Sequence, residues 1–286
     1  MIVITGANGQ LGSLIVASLL ERVPAEEVGV SVRDPGRAAD LADRGVRVRR
    51  GDFSEPHSLA DAFEGATQVL IVSANEIGGK AVDAHLAAIN AARAAGAERI
   101  LYTSHQGAGA DSLFAPMRDH AATEEYLAET GTPFTSLRNG FYATTIPFLL
   151  GQALTTGEIV APADGPVSWT TPADLAEAAA IILADPGRFD GPTPPLTAPD
   201  GFDLQDVAGI LAKLTGRTIR RTVVGEDEWA AGLAAHGAPE ALATMLLGMF
   251  RAARRGEFSA TSPTLGDLLG RPVTPLSSFL EGVAAH

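Results

Sequence analysis

Three glycines near the amino end have the spacing of a phosphate-binding turn. Gly6, Gly9 and Gly12 lie three residues apart, directly after the apolar run Ile2–Thr5 and at the start of a helical pattern. Glycine allows the backbone to come close to a phosphate, and the unpaired N–H groups and positive dipole end of a helix attract an anion. A strand, a glycine turn and a helix N-terminus in this order predict a site for a dinucleotide pyrophosphate.

Arg33 lies where the second predicted strand ends, and this position discriminates between nicotinamide dinucleotides. An acidic residue there binds the ribose 2′-hydroxyl of NAD, whereas an arginine suits the 2′-phosphate of NADP, with about 1.5–3 kcal/mol for each charge-assisted bond. Asp34 follows at once, but side chains alternate along a strand, and an aspartate before Pro35 is a natural turn or cap residue. The sequence therefore favours NADP(H) over NAD(H), with a solvated surface charge as the alternative for Arg33.

The Tyr-x-x-x-Lys pair with which short-chain dehydrogenases usually reduce carbonyls is absent. In that pair the tyrosine donates the proton and the lysine lowers its pKa, but none of the three tyrosines here is followed by a lysine four residues later. The helix that would carry the pair has His120 and Glu124 instead, one turn apart on the same face. Proton donation must therefore come from another group, or not be needed.

Three interpretations of His120 remain open from the sequence. Its imidazole could act as a general acid, because an imidazole titrates near neutrality. The hydride acceptor could instead need no enzymic acid, since a quinone or cationic dye accepts hydride and its product takes any proton from water. Alternatively, His120 and Glu124 pair with each other or cap local structure.

Six apolar strands alternate with helical patterns over the first half of the chain. Near-continuous apolar strands separated by amphipathic helices predict an α/β fold, a doubly wound parallel sheet of the Rossmann type covered on both faces. We expect residues 1–142 to form this NAD(P)-binding domain. The predicted strands are Ile2–Thr5, Val28–Val32, Val46–Arg49, Gln68–Ser73, Arg99–Ser104 and Phe134–Arg138, and the predicted helices are Leu11–Arg22, Gly36–Arg44, Ser58–Phe63, Lys80–Ala95 and Met117–Thr130.

Beyond about residue 143, proline and glycine interrupt the chain heavily and helical patterns dominate. Thr171 is expected to cap a helix that Pro172 opens and that runs through Ala184. We expect residues 143–286 to form a smaller, mostly helical substrate-binding lobe, with some segments returning to the main sheet. Further helices are predicted at Asp203–Leu214, Glu226–His236 and Pro239–Arg254.

Ligands of doubly wound sheets bind at the carboxyl ends of the strands. The segments that follow the predicted strand ends should therefore converge on one cleft. The cofactor contacts predicted there are Gly6, Ala7, Asn8, Gly9, Gln10, Leu11, Arg33, Asp52, Phe53, Ser73, Ala74, Asn75, Ser104, Asn139, Gly140, Phe141 and Tyr142.

Composition narrows the functional classes. A net charge of −13 argues against nucleic-acid partners, because phosphate neutralisation needs clustered Lys and Arg. The absence of cysteine excludes disulfides, thiolate metal sites and cysteine nucleophiles, and the six histidines lack ligand-like spacing, so no metal is expected. The first strand begins at residue 2 and no apolar run reaches membrane-spanning length, so we expect a cytoplasmic protein without a membrane partner.

Motifs along nearly the whole chain carry a family resemblance. They are Ile-Thr-Gly-Ala-Asn-Gly-Gln-Leu-Gly at 4–12, Val-Arg-Asp-Pro at 32–35, Gly-Asp-Phe at 51–53, His-Ala-Ala-Thr-Glu at 120–124, Leu-Arg-Asn-Gly-Phe-Tyr at 137–142 and Thr-Leu-Gly-Asp-Leu-Leu-Gly-Arg-Pro at 264–272. In combination they resemble the NmrA-like, atypical short-chain dehydrogenase family, and within it the bacterial type 2 NADPH:quinone oxidoreductases and triphenylmethane reductases.

The resemblance implies an NADPH-binding Rossmann domain with a small carboxyl-terminal lobe that closes over the nicotinamide. It implies that Gly6–Leu11 bind the pyrophosphate and Arg33 the 2′-phosphate. It places Ser73–Asn75 along the adenosine and ribose, and Asn139–Tyr142 against the nicotinamide and substrate. The sequence departs from the family pattern at two places, and both concern substrate choice. Phe141 stands where relatives can carry other large residues, and Asn75-Glu76 lies in a variable loop.

The function expected is NADPH-dependent transfer of a hydride to a quinone or similar planar, conjugated acceptor, without flavin. His120, Tyr142 and Asn139 are the candidate catalytic residues, in a monomer or homodimer. An alternative is a catalytically inactive NADP(H)-binding redox sensor that acts through a protein partner, which explains the missing catalytic pair equally well. A sugar-nucleotide epimerase or dehydratase is a third option, against which the missing Tyr-x-x-x-Lys argues.

Overall fold

Parallel strands dominate the computed structural model, which describes residues 1–74 and 76–285. The strands are β1 (Ile2–Thr5), β2 (Val28–Val32), β3 (Arg47–Arg50), β4 (Gln68–Ile71), β5 (Arg99–His105), β6 (Phe134–Asn139), β7 (Glu158–Ala161), β8 (Gly191–Pro192) and β9 (Arg220–Val223). The helices are α1 (Gln10–Leu19), α2 (Ala39–Asp43), α3 (Pro56–Phe63), α4 (Gly79–Ala94), α5 (Ala115–Glu129), α6 (Ile146–Leu150), α7 (Ala153–Thr156), α8 (Pro172–Ala184), α9 (Leu204–Thr215), α10 (Glu226–Ala235), α11 (Glu240–Arg254), α12 (Thr264–Leu269) and α13 (Leu276–Ala284).

The main sheet has seven strands in the order β3-β2-β1-β4-β5-β6-β8, and every pairing in it is parallel. Strand order reverses between β1 and β4, which creates the crevice at the carboxyl ends of these strands where nucleotides bind in such folds. The predicted doubly wound parallel sheet is therefore confirmed.

Alternate strand residues supply two separate cores, one on each face of the sheet. Ile4 and Leu101 pack with α1 and α8, whereas Val3 and Tyr102 pack with α3 and α4. Successive side chains of a strand point to opposite faces of the sheet, and helices cover both faces. The sequence of each central strand is therefore a continuous apolar run.

The strand and helix boundaries differ from the predictions at two informative places. The fourth strand ends at Ile71 because the next backbone N–H groups, of Val72 and Ser73, donate to the hydroxyls of Thr5 and Thr103 rather than to a neighbouring strand. The predicted helix over 36–44 is a 3-10 turn, Pro35–Ala38, followed by the short α2, because Asp34 caps the turn at Gly36.

The carboxyl-terminal half contains strands that the sequence pattern did not reveal. β7 and β9 form a two-stranded parallel sheet, and β8 adds two residues to the edge of the main sheet beside β6. α8 packs on α1 against the main sheet, capped as expected by Thr171, whose hydroxyl accepts from the N–H of Asp174 at 3.2 Å. None of the helices described is long and apolar enough to cross a membrane.

Candidate nucleotide-binding and reduction site

The glycine turn and the start of α1 need glycine at two positions, Gly6 for its backbone conformation and Gly12 for its close contact. Gly6 has φ +64°, which L residues rarely adopt, and its N–H donates to the Ser31 carbonyl at 3.1 Å. A Cβ on Gly12 would overlap the Gly6 carbonyl, lying 2.8 Å from its carbon. The backbone of the turn and the backbone of the helix are therefore in direct contact.

The amino end of α1 has no side-chain cap. Its N-cap residue is Gly9, so the N–H groups of the first turn remain available to an anion. Asn8 donates its side-chain amide to the Asp34 carbonyl at 3.0 Å, which ties the turn to the loop after β2. Ala7 lies in the same turn, and Gln10 and Leu11 open α1, so the predicted pyrophosphate contacts are contiguous in the structure.

Arg33 is exposed at the end of β2, and no carboxylate lies within ion-pair distance of it in the described part of the chain. Asp34 is engaged in its own turn, where its carboxylate accepts from the N–H of Gly36 at 3.0 Å, so the predicted cap role of Asp34 is confirmed. The cation at this corner of the crevice is thus free to meet a phosphate.

Asp52 and Phe53 follow β3 at the same edge of the sheet. The Asp52 carboxylate accepts from the N–H of Ser54 at 2.9 Å and from its hydroxyl at 2.8 Å. These hydrogen bonds hold the pKa of Asp52 below its ordinary value, and the charges of Arg33 and Arg50 add a smaller effect. Asp52 therefore shapes a tight loop beside Arg33, and the half-buried Phe53 packs on the core around α3 and α4.

The segment after β4 contains three predicted cofactor contacts. The N–H of Ser73 donates to Thr103 Oγ1 at 2.8 Å, and the N–H of Ala74 donates to His85 Nε2 at 3.0 Å. Asn75, the third, lies outside the described residues. Ser73 and Ala74 are thus fixed by side chains of β5 and α4.

Ser104, at the end of β5, belongs to a buried ionic group. Its hydroxyl donates to Glu124 Oε1 at 2.7 Å, and Arg138 holds the same carboxylate through Nη2–Oε2 at 2.7 Å and Nε–Oε1 at 3.2 Å. The predicted pairing of His120 with Glu124 is therefore wrong, because Glu124 turns to β5 and β6. The same hydrogen bonds raise the pKa of Arg138.

His120 bonds to Tyr102 instead, with 2.6 Å between His120 Nδ1 and the tyrosine hydroxyl. Burial, together with the nearby rings of His105 and His85, holds the pKa of His120 well below its ordinary value of 6.5. The expectation that this imidazole titrates near neutrality is therefore wrong. His120 is neutral at pH 7, and a neutral imidazole can donate a hydrogen bond but is not an imidazolium acid.

The loop after β6 is pinned by the carboxyl-terminal half. The N–H of Gly140 donates to the Leu196 carbonyl at 2.8 Å, and a Cβ on Gly140 would lie 2.9 Å from Thr170 Cβ. Asn139 donates its amide to the Tyr142 hydroxyl at 3.4 Å. The structure thus brings Asn139 and Tyr142 together beside Ser104.

Phe141 is the centre of an aromatic cluster. Its ring meets His105, Trp169 and Phe258 edge to face, with centroids 5.4, 5.4 and 4.8 Å away, and it lies 5.8 Å from Phe114. Only 7% of Phe141 is exposed. This arrangement uses the ring for packing between the sheet and the carboxyl-terminal lobe, so it leaves little face for a planar acceptor.

Three polar atoms at the carboxyl ends of β5 and β6 are buried without a partner among the described residues. They are His105 Nδ1, Gln106 Nε2 and Asn139 Oδ1. Buried polar groups are rarely left unpaired, so this end of the crevice retains hydrogen-bonding capacity for a ligand. His105 follows the predicted cofactor contact Ser104, and its position at a strand end was the only sequence signal that it belongs to the site. His85 and Tyr102 had no such signal in the sequence.

A parallel sheet of order 3-2-1-4-5-6, with a glycine turn at its switch point and a cation at the end of β2, defines the class of Rossmann nucleotide-binding proteins. The chain belongs to the NAD(P)H-binding family, whose model matches residues 6–186. The predicted Rossmann fold and the predicted NAD(P)H cofactor are therefore confirmed.

The relatives agree with the resemblance inferred from the motifs. Quinone oxidoreductase 2 of Escherichia coli K12 is 36% identical over 282 residues, which cover 98% of each protein. The crystal structure of the E. coli enzyme QOR2, complexed with NADPH, superposes with a TM-score of 0.93 at 34% identity over 99% of each chain. The triphenylmethane reductase of Citrobacter sp. gives a TM-score of 0.91 at 33% identity, covering 100% of this chain and 99% of the other.

Proposed function

We propose that this protein is an NADPH-dependent oxidoreductase that transfers a hydride to a quinone or similar conjugated acceptor without flavin. The observation that carries the proposal is similarity over 98% of the chain to a quinone oxidoreductase. The nucleotide cradle at the switch point and the missing Tyr-x-x-x-Lys pair support it, because a quinone needs no strong enzymic acid.

Each part of the crevice is proposed to hold one part of the cofactor. The turn over 6–11 holds the pyrophosphate against the uncapped N–H groups at the amino end of α1, and Arg33 binds the 2′-phosphate. Asp52 and Phe53 border the adenosine, and Ser73 and Ala74 border the adenosine and ribose. Ser104 and the loop over 139–142 hold the nicotinamide. Bound NADPH supplies the hydride, two electrons with one proton.

The residues around His120 are proposed to stabilise charge on the acceptor. When a quinone carbonyl receives a hydride equivalent, one oxygen becomes negative and then takes a proton from water, which completes the hydroquinone. A neutral imidazole that donates an N–H to that oxygen lowers the barrier without giving up its proton. Asn139, at the end of β6, and Tyr142 in the loop after it are proposed to orient the nicotinamide end of the site.

The division of labour between the two halves is part of the proposal. Residues 1–142 bind the nucleotide, and residues 143–286 form the lobe that covers the nicotinamide and receives the acceptor. The aromatic cluster around Phe141 joins the two. We further propose a monomer or homodimer acting on a small planar acceptor, with no nucleic-acid partner, in the cytoplasm.

Purified protein should oxidise NADPH in the presence of benzoquinones, naphthoquinones or triphenylmethane dyes, and one hydroquinone or leuco dye should appear for each NADPH consumed. The measurement is NADPH absorbance with product analysis, in protein freed of flavin. A protein that binds NADPH but reduces none of these acceptors contradicts the proposal and favours the redox sensor.

Replacing Arg33 should change cofactor preference more than it changes folding. We expect Arg33→Ala to weaken NADPH binding by about 10- to 100-fold, since the lost 2′-phosphate bonds contribute roughly 1.5–3 kcal/mol, and to leave NADH binding within about two-fold. Calorimetric titration of both nucleotides measures this. Arg37→Ala, on the exposed turn four residues later, is the matched control. Equal losses for both nucleotides would remove the assignment of Arg33.

A further inference from the structure

A continuous line of hydrogen bonds runs from the loop after β4 to His120. The backbone N–H of Ala74 donates to His85 Nε2 at 3.0 Å. His85 Nδ1 lies 3.2 Å from the Tyr102 hydroxyl, which lies 2.6 Å from His120 Nδ1. His85 is 2% exposed and Tyr102 is fully buried, so water does not interrupt this line.

The direction of the line follows from its first member. A backbone N–H can only donate, so His85 Nε2 must be unprotonated, and the neutral ring then carries its proton on Nδ1. That N–H has two acceptors, Tyr102 Oη and Thr123 Oγ1, the latter at 3.0 Å. Thr123 gives its own proton to the Asp119 carbonyl at 2.8 Å, so its oxygen acts toward His85 only as an acceptor.

The polarity continues through Tyr102 to His120. With its oxygen accepting from His85, the tyrosine directs its O–H to His120 Nδ1, which must then be unprotonated. The neutral His120 therefore carries its proton on Nε2. Burial lowers the pKa of His85 to about 4 and raises that of Tyr102, so both groups keep these protonation states at neutral pH.

We propose that Tyr102 and His85 are positioning residues that hold His120 as the neutral Nε2–H tautomer, in the orientation that donates to the oxygen of the acceptor. This inference rests on the proposed function for its last step only. The tautomer and its dependence on Tyr102 are properties of the chain itself.

The same contacts connect the donor to the nucleotide side of the crevice. Ala74 belongs to the segment proposed to border the cofactor, and the N–H of Gly78 in the same loop donates to Asp119 Oδ2 at 2.7 Å, one residue from His120. The loop after β4 is thus fastened once to α4, through His85, and once to α5, through Asp119. Contacts that order this loop around the nucleotide therefore also order His120.

Nitrogen NMR of protein labelled in its histidine rings tests the tautomer without any acceptor. We expect His120 to show a protonated Nε2 and an unprotonated, hydrogen-bonded Nδ1, and we expect the Nδ1 resonance to move to the position of a free ring nitrogen in Tyr102→Phe. Tyr126→Phe is the matched control, because the Tyr126 hydroxyl of α5 donates to Asn90 Oδ1 of α4 at an exposed position, away from the histidines. A protonated Nδ1 in the unmodified protein overturns the proposal.

Kinetics then test whether Tyr102 acts through His120. We expect His120→Gln to lower kcat roughly 100-fold, because it removes one preorganised hydrogen-bond donor. Tyr102→Phe should lower kcat about 10-fold, with KM for NADPH unchanged, because it disturbs the orientation of that donor without removing it. Added to His120→Gln, Tyr102→Phe should have little further effect. Additive losses would show a merely structural tyrosine and overturn the positioning role. If no acceptor supports turnover, the proposed function fails, while the NMR pattern still decides the tautomer.

Discussion

Lowering the pH from 7.5 to 5 should remove at least about 4 kcal/mol from the free energy of unfolding of the cofactor-free protein. Burial lowers the pKa of His85 and of His105 to about 4 and holds that of His120 well below 6.5. An unfolded chain protonates these rings near pH 6.5. Below that pH the unfolded state binds more protons than the folded state, so stability falls with pH until the folded rings also protonate near pH 4.

This pH range separates the histidines from the carboxylates with lowered pKa values; burial raises the pKa of Asp164, so that group acts in the opposite sense. Asp52 and Glu226 have lowered pKa values, so the stability they contribute is lost only as pH falls through and below the ordinary carboxylate range, under about pH 4.5. Each buried histidine contributes up to about 1.4 kcal/mol for each pH unit between about 4.5 and 6. Such a loss is large against the 5–15 kcal/mol that a typical domain has in total.

Urea unfolding at half-unit pH steps measures the slope. In His85→Gln the dependence of the free energy of unfolding on pH between about 4.5 and 6 should correspond to about one proton fewer taken up on unfolding. This holds whatever the variant's stability at neutral pH. His57→Gln is the matched control, because that side chain is 82% exposed. A stability that stays level from pH 7.5 to 5 would mean that the three imidazoles are not buried as neutral groups.

Gly12→Ala should weaken NADPH binding by about 100-fold or more and lower the free energy of unfolding by about 1–3 kcal/mol. The added methyl group would overlap the carbonyl of Gly6. The clash is with backbone atoms, so no side-chain rotation can relieve it. The helix must move away from the turn, so its first N–H groups no longer converge on the pyrophosphate.

Gly209→Ala is the control for this substitution. Gly209 lies inside α9, exposed, with nothing near the position of its missing Cβ, so alanine there should raise stability by up to about 1 kcal/mol and leave binding unchanged. Calorimetric titration and urea unfolding of both variants provide the comparison. Tight NADPH binding by Gly12→Ala would show that the turn is not the pyrophosphate cradle.

The nucleotide side of the molecule could be predicted because local sequence dictates it. Gly6, Gly9 and Gly12 act through backbone geometry within one strand–turn–helix unit, and the strand ends of a doubly wound sheet converge whatever the rest of the chain does. Ile2–Thr5 and Val28–Val32 have the predicted bounds for the same reason. Asp34 as a cap likewise follows from its position before Pro35.

The carboxyl-terminal strands escaped prediction because their signal is not local. β8 has only two residues, and β7 pairs with β9 across more than fifty residues of chain. Such short strands exist only because a partner edge or a helix face is already in place to satisfy their backbone groups. Helix bounds shifted by one to three residues: α1 ends at Leu19 rather than Arg22, and α5 begins at Ala115 rather than Met117.

The sequence by itself determined the sheet, the glycine turn at its switch point, the exposed arginine at the end of β2 and the absence of a tyrosine–lysine pair. Only the tertiary structure decided what His120 bonds to: Glu124, its neighbour on the helix, is taken by Ser104 and Arg138, while Tyr102 and His85 approach from another strand and another helix. The protonation state and tautomer of His120 depend on its burial and on which hydrogen-bond partner each ring nitrogen has. Those are properties of packed neighbours distant in sequence, so no local pattern encodes them.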